Sequence, residues 1–178
     1  MTGGNGDDSY VVDATTYIVV EVASGGTDTI SASVAWTLGA NVERLIQTGT
    51  SGIAGTGKML ANAITGNAGA NSLSGLDGDD ALIGGGGNDS LTGGNGADHF
   101  VFNSATSGVD VITGFNELNG GGEEGDILRF DGVMVGAFPY VGTDAFSGGS
   151  DNSEARVAGN QVLVDIPAAQ GLSNRGLL

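Results

Sequence analysis

The sequence lacks cysteine and contains only 2 prolines and 5 basic residues among 178. Without cysteine, the chain can form no disulfide and offers no thiol nucleophile or thiolate ligand. The 21 acidic residues give a formal net charge of −16. This charge argues against nucleic acid and anionic membrane surfaces as partners, because both require clusters of Lys and Arg. No apolar run reaches the length of a membrane span, so membrane insertion is not expected either.

Signatures of catalysis are also missing. The chain has a single histidine, His99, and therefore cannot supply a HExxH zinc site or a histidine-based triad, and it contains no GxSxG motif. The segment GIAGTGKM, from Gly52 to Met59, matches part of a phosphate-binding loop. Met59 stands where Ser or Thr would hold Mg²⁺, and no helical pattern follows. We therefore expect no enzymatic activity from this chain.

Glycine is abundant, with 35 residues, and its spacing is regular. A nine-residue unit of the form GGxGxD, followed by a polar or small residue and a large apolar one, recurs along the chain. The units are GNAGANSLS (66–74), GLDGDDALI (75–83), GGGGNDSLT (84–92) and GGNGADHFV (93–101), with an isolated copy GGNGDDSYV (3–11) and a degenerate one GKMLANAIT (57–65). A hydrophobic content of 39% argues against disorder.

Each position of the unit has a physical interpretation. Glycine tolerates positive φ, so GGxG can curl tightly, and the aspartate that follows adds a carboxylate to the turn carbonyls. Oxygen-only ligands are what a hard cation such as Ca²⁺ takes. The last residues of each unit are long enough for a short strand that points its apolar side chain inward. If two units complete one turn of a coil, Asp80 stacks on Asp98 and Asn71 on Asp89.

The block 66–101 resembles the RTX (repeats-in-toxin) nonapeptide of secreted bacterial proteins. The flanks resemble the same family: GGNGDDSYVVD and GGTDTISASVAWTLGANVERL resemble the long-rung segments that precede such arrays, and HFVFNSATSGVDVITGF and EGDILRF resemble the C-terminal region of serralysin-type proteases. This resemblance implies an all-β fold, namely a right-handed parallel β-roll or β-helix solenoid with Ca²⁺ between stacked turns and a β-rich C-terminal cap.

The resemblance also implies a set of calcium ligands. Carboxylates at the sixth position and carbonyls of the turns would hold several Ca²⁺ ions, while Asn71 and Asn62 replace the acid and should leave their sites weaker or empty. The implied metal residues are Asp80, Asp89 and Asp98, the carbonyls of Gly78, Gly85, Gly87, Gly94 and Gly96, Asn71, and, outside the regular array, Asp8, Asp28 and Asp110.

Three segments of one elongated domain are predicted. Residues 1–56 carry one nonapeptide and longer rungs, with strands in SYVV, YIVVEV and DTISASV. Residues 57–101 form the regular array. Residues 102–178 form a capping and secretion-type region with strands in VDVITGF, DILRF and NQVLVDI, an acidic glycine loop at Asn116–Asp126 and a possible helical turn near Thr143–Phe146.

The expected function is that of a secreted or cell-surface module that folds on Ca²⁺ binding and supports type I secretion of a larger polypeptide. Met1 and Thr2 fit the end of a further unit, which suggests a piece of a longer array. The alternative is an adhesive or polysaccharide-binding accessory module. A cluster of Arg129, Tyr140 and Phe146 on one exposed face would favour that alternative.

Overall fold

A computed structural model describes residues 1–103, 108–115 and 125–131 and the backbone of two strands at 154–158 and 161–166. The predicted turn near Thr143–Phe146, most of the Asn116–Asp126 loop, and both Tyr140 and Phe146 lie outside these residues, as does the tail 167–178. Within the described residues there is no helix, and hence none that could span a membrane.

The described residues contain fourteen strands. In chain order they are β1 (Ser9–Val12), β2 (Thr29–Ala32), β3 (Trp36–Thr37), β4 (Arg44–Gln47), β5 (Ala54–Thr56), β6 (Ala63–Thr65), β7 (Ser72–Asp77), β8 (Ala81–Ile83), β9 (Ser90–Asn95), β10 (His99–Phe102), β11 (Gly108–Thr113), β12 (Ile127–Phe130), β13 (Glu154–Ala158) and β14 (Gln161–Ile166).

The strands form two seven-stranded sheets between which the chain alternates. The first sheet has the order β1-β2-β4-β6-β8-β10-β12, and the second has the order β13-β14-β11-β9-β7-β5-β3. Every pairing of one strand with another among β1 to β12 is parallel, which is the arrangement of a solenoid whose successive turns stack on one another. The all-β parallel solenoid that the sequence predicts is therefore confirmed.

The C-terminal strands pair differently. Strand β14 runs antiparallel to β11 over six residue pairs, and β13 runs antiparallel to β14. The parallel edge of the second sheet is thus covered by a hairpin, and covering an exposed edge in this way prevents it from pairing with other chains. The strands predicted in VDVITGF, DILRF and NQVLVDI are all present.

One hydrophobic core lies between the two sheets. Most of the described strands contribute the apolar residue that follows their first position, as in Leu82 and Phe100 of the first sheet and Leu91 of the second, all of which are 0% exposed. The sheets face each other closely, because a Cβ added to Gly55 of β5 would lie 3.1 Å from side-chain atoms of both Leu45 and Leu73. Parallel register therefore converts the nine-residue period into continuous apolar ladders.

Two sequence expectations concern the N-terminal half. The predicted strand YIVVEV is wrong: among the described residues, the only pairing between Tyr17 and Val22 is a single bridge from Val20 to Thr2. A strand needs a neighbour of matching length, and this segment has only Met1 and Thr2 alongside it: Met1 bonds to Ile18 and Val20, and Thr2 forms the one bridge. Within the segment that matches a phosphate-binding loop, Ala54–Thr56 is strand β5, and the next element is strand β6.

Candidate metal centre

The acidic residues are positioned by the strands that they precede. In the first sheet, the residues immediately before the strands stand at equivalent positions of successive turns, because the strands pair in parallel with matched register. We call this set the first column; its members are Asp8, Asp28, Glu43, Asn62, Asp80, Asp98 and Asp126. The register of the second sheet aligns Asn71, Asp89 and Asp110 in the same way, and we call these the second column.

A hydrogen bond links nearly every pair of neighbours in these columns. The backbone N–H of Asp80 donates to Oδ1 of Asp98 at 3.0 Å, and that of Asn71 donates to Oδ1 of Asp89 at 2.8 Å. The stacking of Asp80 on Asp98 and of Asn71 on Asp89 is therefore as the period predicts. The same bond joins Asp8 to Asp28, Asn62 to Asp80, Asp89 to Asp110 and Asp98 to Asp126.

The second carboxylate oxygen of the array aspartates has no such partner. Oδ2 of Asp80, Asp89 and Asp98 is buried and makes no hydrogen bond. Each of these oxygens points at the first glycine of its own repeat, and a Cβ on that glycine would collide with it. A buried charged oxygen without a partner costs free energy, so each of the three positions favours a cation.

Burial changes the titration of these groups. The pKa of Asp80 is raised to about 7, mainly by desolvation. The neighbouring carboxylates of Asp98, Asp79 and Asp77 contribute to this rise, and a hydrogen bond from the backbone of Asn62 opposes it. Burial also raises the pKa of Asp89 and of Asp98, with a contribution from the charge of Asp126 in the latter case. The metal-free array thus holds its carboxylates in an environment that disfavours their charge.

No ion pair neutralises an array aspartate within the described part of the chain. The two ion pairs there join Lys58 to Glu43 at 3.3 Å and Arg129 to Asp131 at 2.9 Å, and neither involves an array aspartate. The unpaired oxygens fit Ca²⁺, a hard cation that accepts carboxylate and carbonyl oxygen in flexible geometry. Asp80, Asp89 and Asp98 would hold such ions, which would supply the missing positive charge.

The asparagines of the columns are satisfied without an ion. Oδ1 of Asn62 accepts the backbone N–H of Lys58 at 2.7 Å, and Oδ1 of Asn71 accepts that of Asn67 at 2.9 Å. Nδ2 of Asn71 donates to the carbonyl of Ile53 at 3.1 Å, in the stacked turn. An amide can thus bridge the turn by itself, which is a physical reason to expect weaker or empty sites at these positions.

The glycines predicted to offer carbonyl ligands all have positive φ, between 96° and 129°. Close stacking gives a further reason for glycine: a Cβ on Gly94 would collide with the carbonyl oxygen of Leu76, and one on Gly96 with that of Gly78. The five turn glycines are Gly78, Gly85, Gly87, Gly94 and Gly96. Their role as ligands stays a prediction, as does that of the aspartates and of Asn71.

The repeat pattern does not predict three acidic residues, two in the first column and one beside it. Glu43 and Asp126 belong to the first column but lie outside any nonapeptide, and Glu21 lies beside Asp8 and Asp28. For Glu43 and Asp126 a signal exists: each is an acid directly before a strand whose second residue is apolar, as in Glu43-Arg44-Leu45. Glu21 carries no such signal, because it comes from a loop.

The fold and the columns together define a parallel β-solenoid with carboxylates stacked along its turns, a class of protein suited to binding cations between turns. Comparison with protein families is more specific: residues 61–101 match the RTX calcium-binding nonapeptide repeat, in four copies. This segment therefore carries RTX-type repeats, and repeats of this kind bind several Ca²⁺ ions per array. Searches of curated proteins and of solved structures found no significant match.

Proposed function

We propose that this chain is the calcium-responsive folding module of an exported bacterial protein. The observation that supports the proposal is the set of buried, unpaired Oδ2 atoms on Asp80, Asp89 and Asp98. Without a cation, the stacked carboxylates repel one another and the oxygens of each turn have no positive charge to bind. The array is therefore not stably folded. Ca²⁺ binding offsets this repulsion and couples directly to folding.

The proposed place of action is outside the cell. Extracellular calcium-binding modules work at about 10⁻⁴–10⁻³ M, which is far above the calcium level of a bacterial cytoplasm. A chain with a net charge of −16 that stays loose before export and folds afterwards would suit passage through a narrow channel. The RTX repeats support this location because they are typical of exported proteins.

Limited proteolysis tests calcium-coupled folding directly. In chelator we expect rapid cleavage throughout the array at 57–101, and with millimolar Ca²⁺ we expect protection of that segment, with Mg²⁺ as the control. Equal cleavage of the array with and without Ca²⁺ would contradict the proposal.

Export is a separate part of the proposal. We infer that the segment after the array supports type I secretion and that the chain has no catalytic activity of its own. Fusion of residues 102–178 to a reporter, in cells with and without a type I export apparatus, tests the first inference. A reporter that remains in the cells in both cases would remove the secretion role and leave calcium binding intact.

The adhesive or polysaccharide-binding role remains a weaker hypothesis. Arg129 is exposed, but it pairs with Asp131, and Tyr140 and Phe146 lie outside the described residues. No contact among the described residues favours a sugar chain over Ca²⁺.

A further inference from the structure

One step of the first column, from Glu43 to Asn62, is bridged by a lysine. The two residues are neighbours in the column, because Arg44 and Ala63, which follow them, pair in parallel. Elsewhere in the column a backbone N–H donates to the side chain of the next member, but within the described residues this bond does not join Glu43 to Asn62. Lys58 bonds to both of them instead. We propose that its ammonium group is a built-in counter-ion that replaces a metal ion at this turn.

Lys58 reaches its two neighbours with two different groups. Its backbone N–H donates to Oδ1 of Asn62 at 2.7 Å, and its Nζ lies 3.3 Å from Oε1 of Glu43. The other oxygen of Glu43, Oε2, accepts the N–H of Asp28 at 3.0 Å. Both carboxylate oxygens of Glu43 therefore have partners, whereas Oδ2 of Asp80 in the same column has none.

The ion pair between Lys58 and Glu43 is largely shielded from water. The side chain of Lys58 is 12% exposed and that of Glu43 is 33% exposed. Removing one partner of a shielded pair is costly, because the remaining charge is left without a partner and with little water. The other described ion pair differs: the side chains of Arg129 and Asp131 are 59% and 42% exposed, and a pair so open to solvent contributes little.

Two departures from the repeat occur together in the degenerate unit 57–65. Asn62 stands where the other units have an acid, and Lys58 stands at the second position, where Gly85 and Gly94 have positive φ of 96° and 125°. Lys58 is not in this left-handed region, so the turn accommodates a side chain here. The unit thus lacks a carboxylate of its own and offers an ammonium group to Glu43 of the stacked turn.

This replacement makes one turn of the solenoid independent of Ca²⁺. The turn lies where the N-terminal segment meets the regular array at 57–101, beside the paired strands β2 and β4. These strands therefore keep their pairing in chelator and offer a formed edge on which the array folds when Ca²⁺ is added. Folding of the array on this edge rests on the proposed function, whereas the neutralisation of Glu43 by Lys58 does not.

Hydrogen exchange of the chelated full-length protein tests the proposal, with the amides of β4 as the reporter. Lys58→Met removes the charge and keeps a long side chain, so we expect slow exchange in wild-type β4 to become roughly tenfold faster or more. Arg129→Met, which removes the exposed ion pair, is the matched control and should leave β4 unchanged. Wild-type β4 that exchanges as fast as in Lys58→Met, or an equal change in the control, would overturn the proposal.

Calcium binding by the same variant separates charge from packing. Without Lys58, Oε1 of Glu43 has no positive charge beside it, so Ca²⁺ should take that place. Lys58→Met should bind one ion more than wild type by calorimetry, and Ca²⁺ should restore slow exchange in β4. The double variant Lys58→Met with Glu43→Gln should gain no ion and should recover slow exchange in chelator, because no charge is left to neutralise.

The ion count has its own contradicting result. In a protein whose wild type binds Ca²⁺, an unchanged count in Lys58→Met would overturn the proposal. If the wild type binds no Ca²⁺, the proposed function fails, and the exchange comparison in chelator alone decides the role of Lys58. If Lys58→Met does not fold, the double variant decides: slow exchange of its β4 in chelator supports the proposal, and fast exchange overturns it.

Discussion

The regular array and the N-terminal segment build the same column of acids in different ways. In the array, stacked partners such as Asp80 and Asp98 are 18 residues apart. In the N-terminal segment, the spacing is 20 residues from Asp8 to Asp28 and 15 from Asp28 to Glu43, yet the same N–H to carboxylate hydrogen bond forms. The comparison teaches that an acid directly before a strand defines the column, whereas the glycine period only makes the turns uniform.

The largest effect should come from converting the array to the asparagine pattern already present at Asn62 and Asn71. In the triple variant Asp80→Asn, Asp89→Asn and Asp98→Asn, amides would replace the unpaired carboxylates and bridge the turns. We expect the calcium-dependent stabilisation that these three aspartates provide to disappear, a loss of about 2.7 kcal/mol per site at a Ca²⁺ concentration one hundred times Kd. Thermal unfolding with and without Ca²⁺ measures it.

The control for this variant is Asp13→Asn, which removes an exposed carboxylate directly after β1 and should leave the calcium-dependent stabilisation at its wild-type value. A triple variant whose melting temperature rises with Ca²⁺ as much as that of the wild type would show that the array aspartates are not the ligands.

The core should not distinguish the two regions. Leu82 of the array and Leu45 of the N-terminal segment are both 0% exposed and belong to the same apolar ladder. We expect Leu82→Ala and Leu45→Ala each to cost about 2–5 kcal/mol in the free energy of unfolding of the calcium-bound protein. Denaturant unfolding in saturating Ca²⁺ measures both. A large cost for only one of them would mean that the regions are packed differently.

Acid should weaken calcium binding at the array. Because burial raises the pKa of Asp80 to about 7, protons compete with Ca²⁺ below that pH. Low pH has the opposite effect on the stability of the calcium-free folded form. Because the pKa of Asp80 is raised, protonation of this residue stabilises the fold at low pH, and this stabilisation is lost as the pH rises through about 7. Between about pH 8 and about pH 5 we expect the Ca²⁺ midpoint to rise roughly tenfold or more.

Calcium titrations at several pH values check this, with the triple asparagine variant as the reference. A Ca²⁺ midpoint that does not change across this pH range would mean that Asp80 is ionised throughout and that burial does not raise its pKa.

Restoring an acid in the second column should add a site. Asn71→Asp removes the amide that bridges to Ile53 and places a carboxylate above Asp89. We expect one additional bound Ca²⁺ by calorimetry, together with a loss of about 1–3 kcal/mol of stability in chelator, because a buried carboxylate then lacks a partner. Asn67→Asp, in the same repeat but at its second position, is the control. An unchanged ion count in Asn71→Asp would refute the asparagine rule.

The smallest effect concerns Leu76, which replaces the second glycine of its repeat and has a φ of 88°. A leucine in the left-handed region is strained by about 1–2 kcal/mol, part of which glycine loses again to its greater freedom when unfolded. Leu76→Gly should therefore raise stability slightly, by about 1 kcal/mol or less. Chemical denaturation checks this, and a clear destabilisation would show that the leucine side chain contributes packing that outweighs its strain.

The sequence predicts the array well because its period is constant. Two nine-residue units per turn place Leu82 and Phe100 in one ladder and stack Asp80 on Asp98, without any knowledge of the loops. Where the spacing varies, the period gives no guide: Asp98 and Asp126 are stacked although 28 residues separate them. Only the backbone register reveals that relation.

The remaining differences have local causes. The alternation in YIVVEV satisfies a strand pattern, but pattern alone does not supply a neighbouring strand, and among the described residues only Thr2 pairs there. Glu21 escapes prediction because its position depends on the path of a loop, which is anchored by a bond from Nδ2 of Asn41 to the Glu21 carbonyl at 3.1 Å. Such contacts become visible only when the chain is folded.

The central claim is that Ca²⁺ completes the stacked carboxylates and thereby folds the array. The most direct test is far-UV circular dichroism of the chelated protein during a Ca²⁺ titration, with Mg²⁺ as the control. The account predicts a cooperative increase in β signal at sub-millimolar to millimolar Ca²⁺ that Mg²⁺ does not produce. A spectrum that is already rich in β structure in chelator and does not change with Ca²⁺ would contradict it.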